Sequence, residues 1–326
     1  STLHNTLFPY TTLFRSTRIG SGRLFPFVRL VAFCYVLAFM SVTASKSADA
    51  FPFDQDVVWK PAPDVVANSN LRAFMDEHDI SDLDALQARS TEDIGWFWNA
   101  VLDDLNVEFY EDYDQIVDLS DGIQYPTWCV GGKMNIAHNL LDKWQGTPVE
   151  NRVALRWEGE DGSTETLTYG ELNRRVCRCA NALRDMGLGK GDRIGLYMPM
   201  TPEIVVAFLA IVKIGGILLP LFSGYGVGAI VTRLQGADAK ALFTADGFAR
   251  RDSAIQMKET ADKAVEQCPS VEHVIVHRHL GRDDVPMTDG RDVFWTDAVA
   301  GHDTDARTER TKAEDVVMII YTSGTT

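Results

Sequence analysis

The chain has 326 residues, 45% hydrophobic and 24% charged. That supplies a substantial core and length for about two domains, and it excludes a disordered or fibrous chain. The formal net charge of −15 is unevenly placed: residues 1–39 hold four arginines and no acid, so 27 basic face 46 acidic residues from Met40 onward, a net of −19. Such a surface repels nucleic acid and anionic membrane and argues against both as partners. Five cysteines, an odd number scattered through a long chain, do not make a disulfide framework, and a reducing, cytoplasmic compartment is the expectation.

Residues 1–39 read as a leader distinct from the rest. Arg18 and Arg23, the apolar stretch from Leu24 to Met40, and Ala48-Asp49-Ala50 imitate the charged, apolar and cleavage parts of a secretory signal. Arg29 interrupts the apolar run, and no methionine precedes Met40. The opening HNTLFPYTTLFRS has the look of translated sequencing-adapter sequence, which makes 1–39 non-native read-through and Met40 the start. Translation from Met40 keeps the product inside, away from membranes, whereas cleavage at Ala50 exports it. An exported or membrane-tethered binding module, resting on residues 17–50 alone, therefore stays open.

From Met40 to about Asn151 the sequence is polar and tryptophan-rich, without strand-like runs. Trp96, Phe97, Val101, Leu102 and Leu105 take spacings suited to one helical face over Ile94–Leu105, a core stripe. Gly131-Gly132 suggests a tight loop followed by a short helix. His138 has no neighbour at metal-ligand spacing and reads as structural.

Beyond Asn151 strands and helices alternate. Val153–Trp157 and Glu165–Thr168 flank Asp161-Gly162 as a hairpin. Thr168-Tyr169-Gly170-Glu171 is a capping-box pattern opening a helix that ends near Gly187 and carries Cys177 and Cys179 on different faces. A strand is expected at Arg193–Met198, and Thr201-Pro202 suits the cap and first position of an apolar helix stopped by Gly215-Gly216. Strands at Ile217–Phe222, Ala241–Thr244, His273–Val276 and Val316–Tyr321 alternate with helices at Val227–Leu234 and Ala254–Cys268. This order predicts an α/β fold with a mainly parallel sheet covered on both faces, and ligands in such folds gather at the carboxyl ends of strands.

Two such ends carry candidate sites. After Val316–Tyr321 come Thr322, Ser323, Gly324, Thr325 and Thr326, small residues whose backbone N–H groups and hydroxyls can form a concavity for phosphate oxygens. After Phe222, the run Gly224-Tyr225-Gly226-Val227-Gly228-Ala229 fits G-x-G-x-x-A, and Asp246 follows about 20 residues later, the spacing of an NAD-type dinucleotide site. Nothing nearby supplies a convincing hydride-transfer constellation, so an NAD-type oxidoreductase is the second reading.

From about Gly95 to Thr326 the sequence resembles the amino-terminal half of an AMP-forming acyl-CoA synthetase, closest to the acetyl-CoA synthetase group of adenylate-forming enzymes. The resemblance is carried by WCVGGKMNIAHNLLDKW at 128–144, LTYGEL at 167–172, GDRIGLYMPMTPEIVVAFLAIVKIGG at 191–216, CPSVEHVIV at 268–276 and YTSGTT at 321–326, in that order. Beyond the leader at 1–39, it implies an acetyl-CoA-synthetase-type amino-terminal region at 40–150 and the first part of an AMP-binding domain at 151–326. It also implies a two-step acid-thiol ligase reaction: a short carboxylate such as acetate attacks the α-phosphate of Mg-ATP, and the thiol of coenzyme A then displaces AMP. Thr322, Ser323, Gly324, Thr325 and Thr326 would cradle the β- and γ-phosphates, while Phe222 and Gly224 in FSGYG and Arg250 would contact coenzyme A. Ser223 stands where the group usually has glycine, Cys129 where it has an aromatic residue, and Ser253 where it has a second arginine. The catalytic residues, the Mg²⁺-ligating acid and the mobile domain are expected beyond Thr326. The chain alone is therefore expected to be inactive, with an open, apolar sheet edge at Val316–Tyr321.

Overall fold

The computed structural model describes residues 59–250 and 253–322. The leader with Met40 and Ala50, Arg251, and the candidate phosphate-loop residues Ser323, Gly324, Thr325 and Thr326 lie outside the described residues. The chain divides into two compact units, Ser1–Leu105 and Asn106–Thr326.

The described part of the first unit is helical: α1 (Pro63–Ala67), α2 (Asn70–Glu77), α3 (Leu83–Glu92) and α4 (Ile94–Asp104). Ser69, Asp82 and Asp93 accept backbone N–H groups at the starts of α2, α3 and α4, satisfying donors that a helix start leaves unpaired. Phe74, Met75, Ile80, Leu86, Phe97, Ala100 and Val101 form its small core. The expected stripe on α4 is thus present through Phe97 and Val101, one turn apart.

The second unit opens with elements that the sequence pattern does not announce. Strands β1 (Gln115–Asp118) and β2 (Thr127–Val130) pair antiparallel, and β3 (Lys133–Met134) follows a turn in which Gly131 has φ +82° and Gly132 N–H donates to the Cys129 carbonyl. The expectation of no strands before Asn151 is corrected here: the strands have four residues or fewer, too short to show a period. Helix α5 (Ile136–Leu140) is capped by Asn135, and the hairpin β4 (Val153–Glu158) and β5 (Thr164–Thr168) turns at Gly162, φ +78°.

Helix α6 (Tyr169–Asp185) starts at the capping box: Thr168 Oγ1 accepts from Glu171 N–H, and the Glu171 carboxylate accepts from Thr168 N–H. It ends at Gly187, φ +80°, where Leu188 N–H returns to the Leu183 carbonyl. Then come β6 (Arg193–Leu196), α7 (Pro202–Lys213), β7 (Ile217–Pro220), α8 (Val227–Gly236), β8 (Ala241–Ala245), the antiparallel hairpin β9 (Phe248–Arg250) and β10 (Ser253–Ile255), α9 (Met257–Val265), β11 (His273–His277), β12 (Asp292–Phe294), α10 (Trp295–Ala298) and β13 (Thr311–Lys312). The helix expected from Ala254 starts three residues later, because Ser253–Ile255 returns antiparallel on Phe248–Arg250.

The main sheet has the order β12-β11-β8-β6-β7 with every neighbouring pair parallel. Ile194, Leu196, Phe243 and Ile275 face α6 and α7 on one side, while Leu219, Leu242, Val274 and Val276 face α8 and α9 on the other. Burial on both faces explains why β8 reads as an uninterrupted Ala-Leu-Phe-Thr-Ala run. Because the chain crosses from β7 back over β6 to β8, the crevice at the carboxyl ends of β6 and β8 is the topological switch point.

Val316–Tyr321 is corrected from a strand to an extended segment with one parallel bridge, Leu218 to Met318. Leu218 N–H donates to the Val317 carbonyl and Ile319 N–H to the Leu218 carbonyl, both 2.9 Å. The next rung of that ladder needs an N–H from residue 220, which is proline and has none to give. Val316 and Ile320 remain 56% and 64% exposed. Among the described residues no helix is long and apolar enough to cross a membrane.

Candidate functional site

The candidate loops leave the sheet on its carboxyl side. After β7 the chain makes a turn in which Tyr225 N–H donates to the Phe222 carbonyl at 2.9 Å. Tyr197, following β6, donates its hydroxyl to the Tyr225 carbonyl at 3.2 Å, which ties this turn to the neighbouring strand end. The Phe222 ring lies over Gly224 so closely that a Cβ there would come within 2.6 Å of it, while Phe222 itself is 45% exposed. The turn thus offers backbone and one aromatic face to a ligand, and a side chain at position 224 would have to push the Phe222 ring aside. Gly226 and Gly228 have open space where a Cβ would sit, so the full G-x-G-x-x-A spacing is not imposed by close approach within the chain.

The parallel register of Met318 with Leu218 carries Tyr321 and Thr322 out of the sheet beside the Leu221–Phe222 end of β7. The structure therefore brings the first candidate phosphate residue, Thr322, to the same sheet end as Phe222 and Gly224. Arg250 comes from a different strand: it ends β9, is exposed, and its carbonyl accepts from Ser253 Oγ at 2.9 Å.

Asp246 has a different environment from the one the dinucleotide spacing requires. It is fully buried; Oδ1 accepts from the N–H groups of His279 and Leu280 at 2.8 and 2.9 Å, and Oδ2 from that of Arg282 at 3.1 Å. The Arg282 guanidinium reaches the Asp246 carbonyl at 2.9 Å and pairs with Glu259 at 2.6 Å. A carboxylate so occupied anchors the 278–282 loop and offers nothing to a ribose hydroxyl. Gly247 follows it because a Cβ would fall 2.4 Å from the Ile255 carbonyl oxygen, so the base of the Arg250 hairpin closes on a glycine.

Sequence reasoning missed a polar cluster at the start of α7 and the end of β11. His277 Nε2 lies 3.4 Å from Glu203 Oε2, with the His279 and Trp295 rings 6.0 and 6.4 Å away. Burial lowers the His277 pKa, against the opposing pull of Glu203. Thr201 holds the N-cap position of α7 as expected, yet its hydroxyl makes no capping bond and is buried without a partner among the described residues, as is that of Thr244. No local pattern marks these residues, which lie far apart in sequence.

A family model described as AMP-binding enzyme matches residues 141–326, and one described as acetyl-coenzyme A synthetase N-terminus matches residues 83–140. The chain belongs to the AMP-binding enzyme family. Curated relatives include an acetyl-coenzyme A synthetase of Methanothrix thermoacetophila, 39% identical over 71% of this chain and 34% of its own length. Another is a 3-hydroxypropionyl-coenzyme A synthetase of Metallosphaera sedula, 38% identical over 74% of this chain and 36% of its own. Among solved structures, the acetoacetyl-CoA synthetase from Streptomyces lividans superposes with a TM-score of 0.72 at 26% identity, covering 82% of this chain and 41% of that one. The chain thus spans about a third of the length of these curated relatives. In this AMP-binding family member the parallel sheet and its flanking helices agree with the α/β architecture expected from the sequence.

Proposed function

We propose that the chain forms the phosphate-facing and coenzyme-A-facing part of an ATP-dependent acid-thiol ligase that activates a short carboxylate as an acyl-adenylate. The observation that carries this reading is the exit of Tyr321–Thr322 beside the Phe222–Gly224 turn at one end of the sheet. In the first step a carboxylate oxygen attacks the α-phosphorus of Mg-ATP and pyrophosphate leaves. In the second the thiolate of coenzyme A attacks the acyl carbon and AMP leaves. Thr322 and the Ser323–Thr326 run that follows it would supply N–H and hydroxyl donors to the β- and γ-phosphate oxygens, where charge accumulates as pyrophosphate departs. Phe222 would cover, and Gly224 admit, part of coenzyme A, with the Arg250 fork taking one of its phosphates. Mg²⁺ would arrive with the nucleotide substrate.

Acetate is the leading acid, from the relatives' names, and propionate-sized or hydroxylated acids are the competitors. The test expresses both this chain and the product of the uninterrupted reading frame. The longer product should release pyrophosphate when acid and ATP are present and AMP only when coenzyme A is added as well, and this chain alone should release neither. Thermal shift supplies the second arm: ATP and coenzyme A should raise the melting temperature of the longer product and NAD should not. Stabilisation by NAD alone would overturn the assignment.

A further inference from the structure

The two candidate loops are separate in sequence, and one side chain touches both. Arg233, on the second turn of α8, has its guanidinium carbon 4.5 Å from the centre of the Tyr225 ring and 5.1 Å from that of Tyr321. Its Nη1 donates to the Ala229 carbonyl one turn earlier at 2.9 Å, which fixes the group along the helix. Tyr225 belongs to the turn after β7 and meets the Phe222 ring edge-on at 5.7 Å. Tyr321 immediately precedes Thr322 and lies against α8 at Gly236, where a Cβ would stand 2.6 Å from its hydroxyl. The helix therefore carries both a cation to hold the Tyr321 ring and a glycine that leaves it room.

We propose that Arg233 is a positioning residue that couples the phosphate-side segment entering at Tyr321 to the coenzyme-A-side turn Phe222–Tyr225; this rests on the site reading given above. A guanidinium within about 6 Å of an aromatic ring is attracted by the ring's quadrupole, and the attraction grows where water is partly excluded. Both tyrosines are partly buried against the same core cluster. Because one cation serves two rings, displacement of either tyrosine changes the contact left for the other. Phosphate occupancy at Thr322 would in this way bias the turn that presents Phe222, and coenzyme A at Phe222 would bias the phosphate segment by the same factor.

The experiment measures coenzyme A affinity calorimetrically in the product of the uninterrupted reading frame, for wild type, Tyr321→Leu, Arg233→Met and the double variant. Tyr321→Leu, although it alters the phosphate side, should weaken coenzyme A binding roughly threefold to tenfold, as should Arg233→Met, and the double variant should be no weaker than Arg233→Met. A purely structural Arg233 would lower the melting temperature yet leave that cross-effect absent. If Tyr321→Leu binds coenzyme A within twofold of wild type, or the two losses multiply, the coupling is overturned while the site assignment stands. If wild type binds no coenzyme A, the site assignment falls and the coupling with it. Should Tyr321→Leu fail to fold, Arg233→Gln replaces it: affinities for coenzyme A and for tripolyphosphate should fall together, and loss of one without the other overturns the inference.

Discussion

Two regions of the second unit handle positive charge in opposite ways. At the end of α7 and the start of α9, Lys213 and Lys258 have side chains 2% and 0% exposed. Lys213 Nζ meets Asp142 at 2.6 Å and Thr308 at 2.7 Å, while Lys258 Nζ meets Asp262 at 2.6 Å and Asp292 at 2.8 Å. Arg250, by contrast, stands exposed at the tip of a three-residue strand. The buried lysines use their charge to hold distant segments together, Thr308 lying 95 residues from Lys213 and Asp292 lying 34 from Lys258. Among the described residues the Arg250 guanidinium has no hydrogen-bond or ion-pair partner, and on the reading proposed above its donors are left for coenzyme A. On that reading the difference separates charge that makes the fold from charge proposed to serve the site.

Removing a cation from each region is the hardest test of that division. Lys258→Ala leaves Asp262 and Asp292 sharing Arg291 alone, and breaking such a buried pair should cost about 3 kcal/mol, read as a fall in urea midpoint at unchanged m. Arg250→Ala should change unfolding free energy by less than about 0.5 kcal/mol. If the arginine proved the costlier of the two, the comparison would be wrong.

On the ligand side the ranking reverses. A charge-assisted contact is worth about 1.5–3 kcal/mol, so Arg250→Ala should weaken coenzyme A binding by the longer product roughly tenfold to a hundredfold. Arg250→Lys should recover only part of it, because an ammonium lacks the planar fork. Unchanged affinity in Arg250→Ala would remove Arg250 from the site.

Acid sharpens the buried half. Burial alone would raise the Asp292 pKa, but the bonds from Arg291, Lys258 and the Thr288 N–H outweigh it and hold the group below its ordinary 3.8. The native pKa lies beneath the unfolded one. This contribution is therefore complete above about pH 4 and is lost as pH falls through the depressed value. Wild type should lose stability steeply below that point, and Asp292→Asn, already weakened at neutral pH, should show a shallower acid limb. Parallel limbs for the two proteins would show that Asp292 does not carry the dependence.

What could be read from the sequence follows the same division. The central strands were legible because burial on both faces leaves continuous apolar runs, as at Leu242–Phe243 and Val274–Val276. Helix α6 was legible because Thr168 and Glu171 satisfy its first N–H groups locally. The hairpin at Phe248–Ile255 and strand β12 were not, since segments of three residues carry no period. Lys213 and Lys258 look like ordinary solvated helix charges until distant partners are in place. Asp246 misleads for a related reason: an Asp-Gly after a strand suits a ribose or a loop anchor equally, and only the N–H groups of residues 279–282 decide between them. Of the candidate site, the sequence pattern shows only that Phe222 and Gly224 follow a strand, whereas the Arg233 contact joining that turn to Tyr321 spans 88 residues of chain and has no local sign.

The smallest expected effect concerns the edge beside β7. Pro220 stops the ladder after Leu218, leaving Val316–Tyr321 with two backbone hydrogen bonds to β7 among the described residues and with Val316 and Ile320 largely exposed. An extended apolar segment of this kind is a template for pairing with another chain. A lysine at position 320 sits on solvent-facing side chain and meets no core contact, so Ile320→Lys should shift unfolding free energy by no more than about 0.5 kcal/mol. Its effect should lie in association: light scattering of this chain should rise later and at higher concentration than for wild type. The same substitution at Ile319, which packs on the core shared with Tyr225 and Tyr321, should destabilise instead. If Ile320→Lys leaves scattering unchanged, this edge is not where copies meet, and the open ladder beside Pro220 has no bearing on solubility.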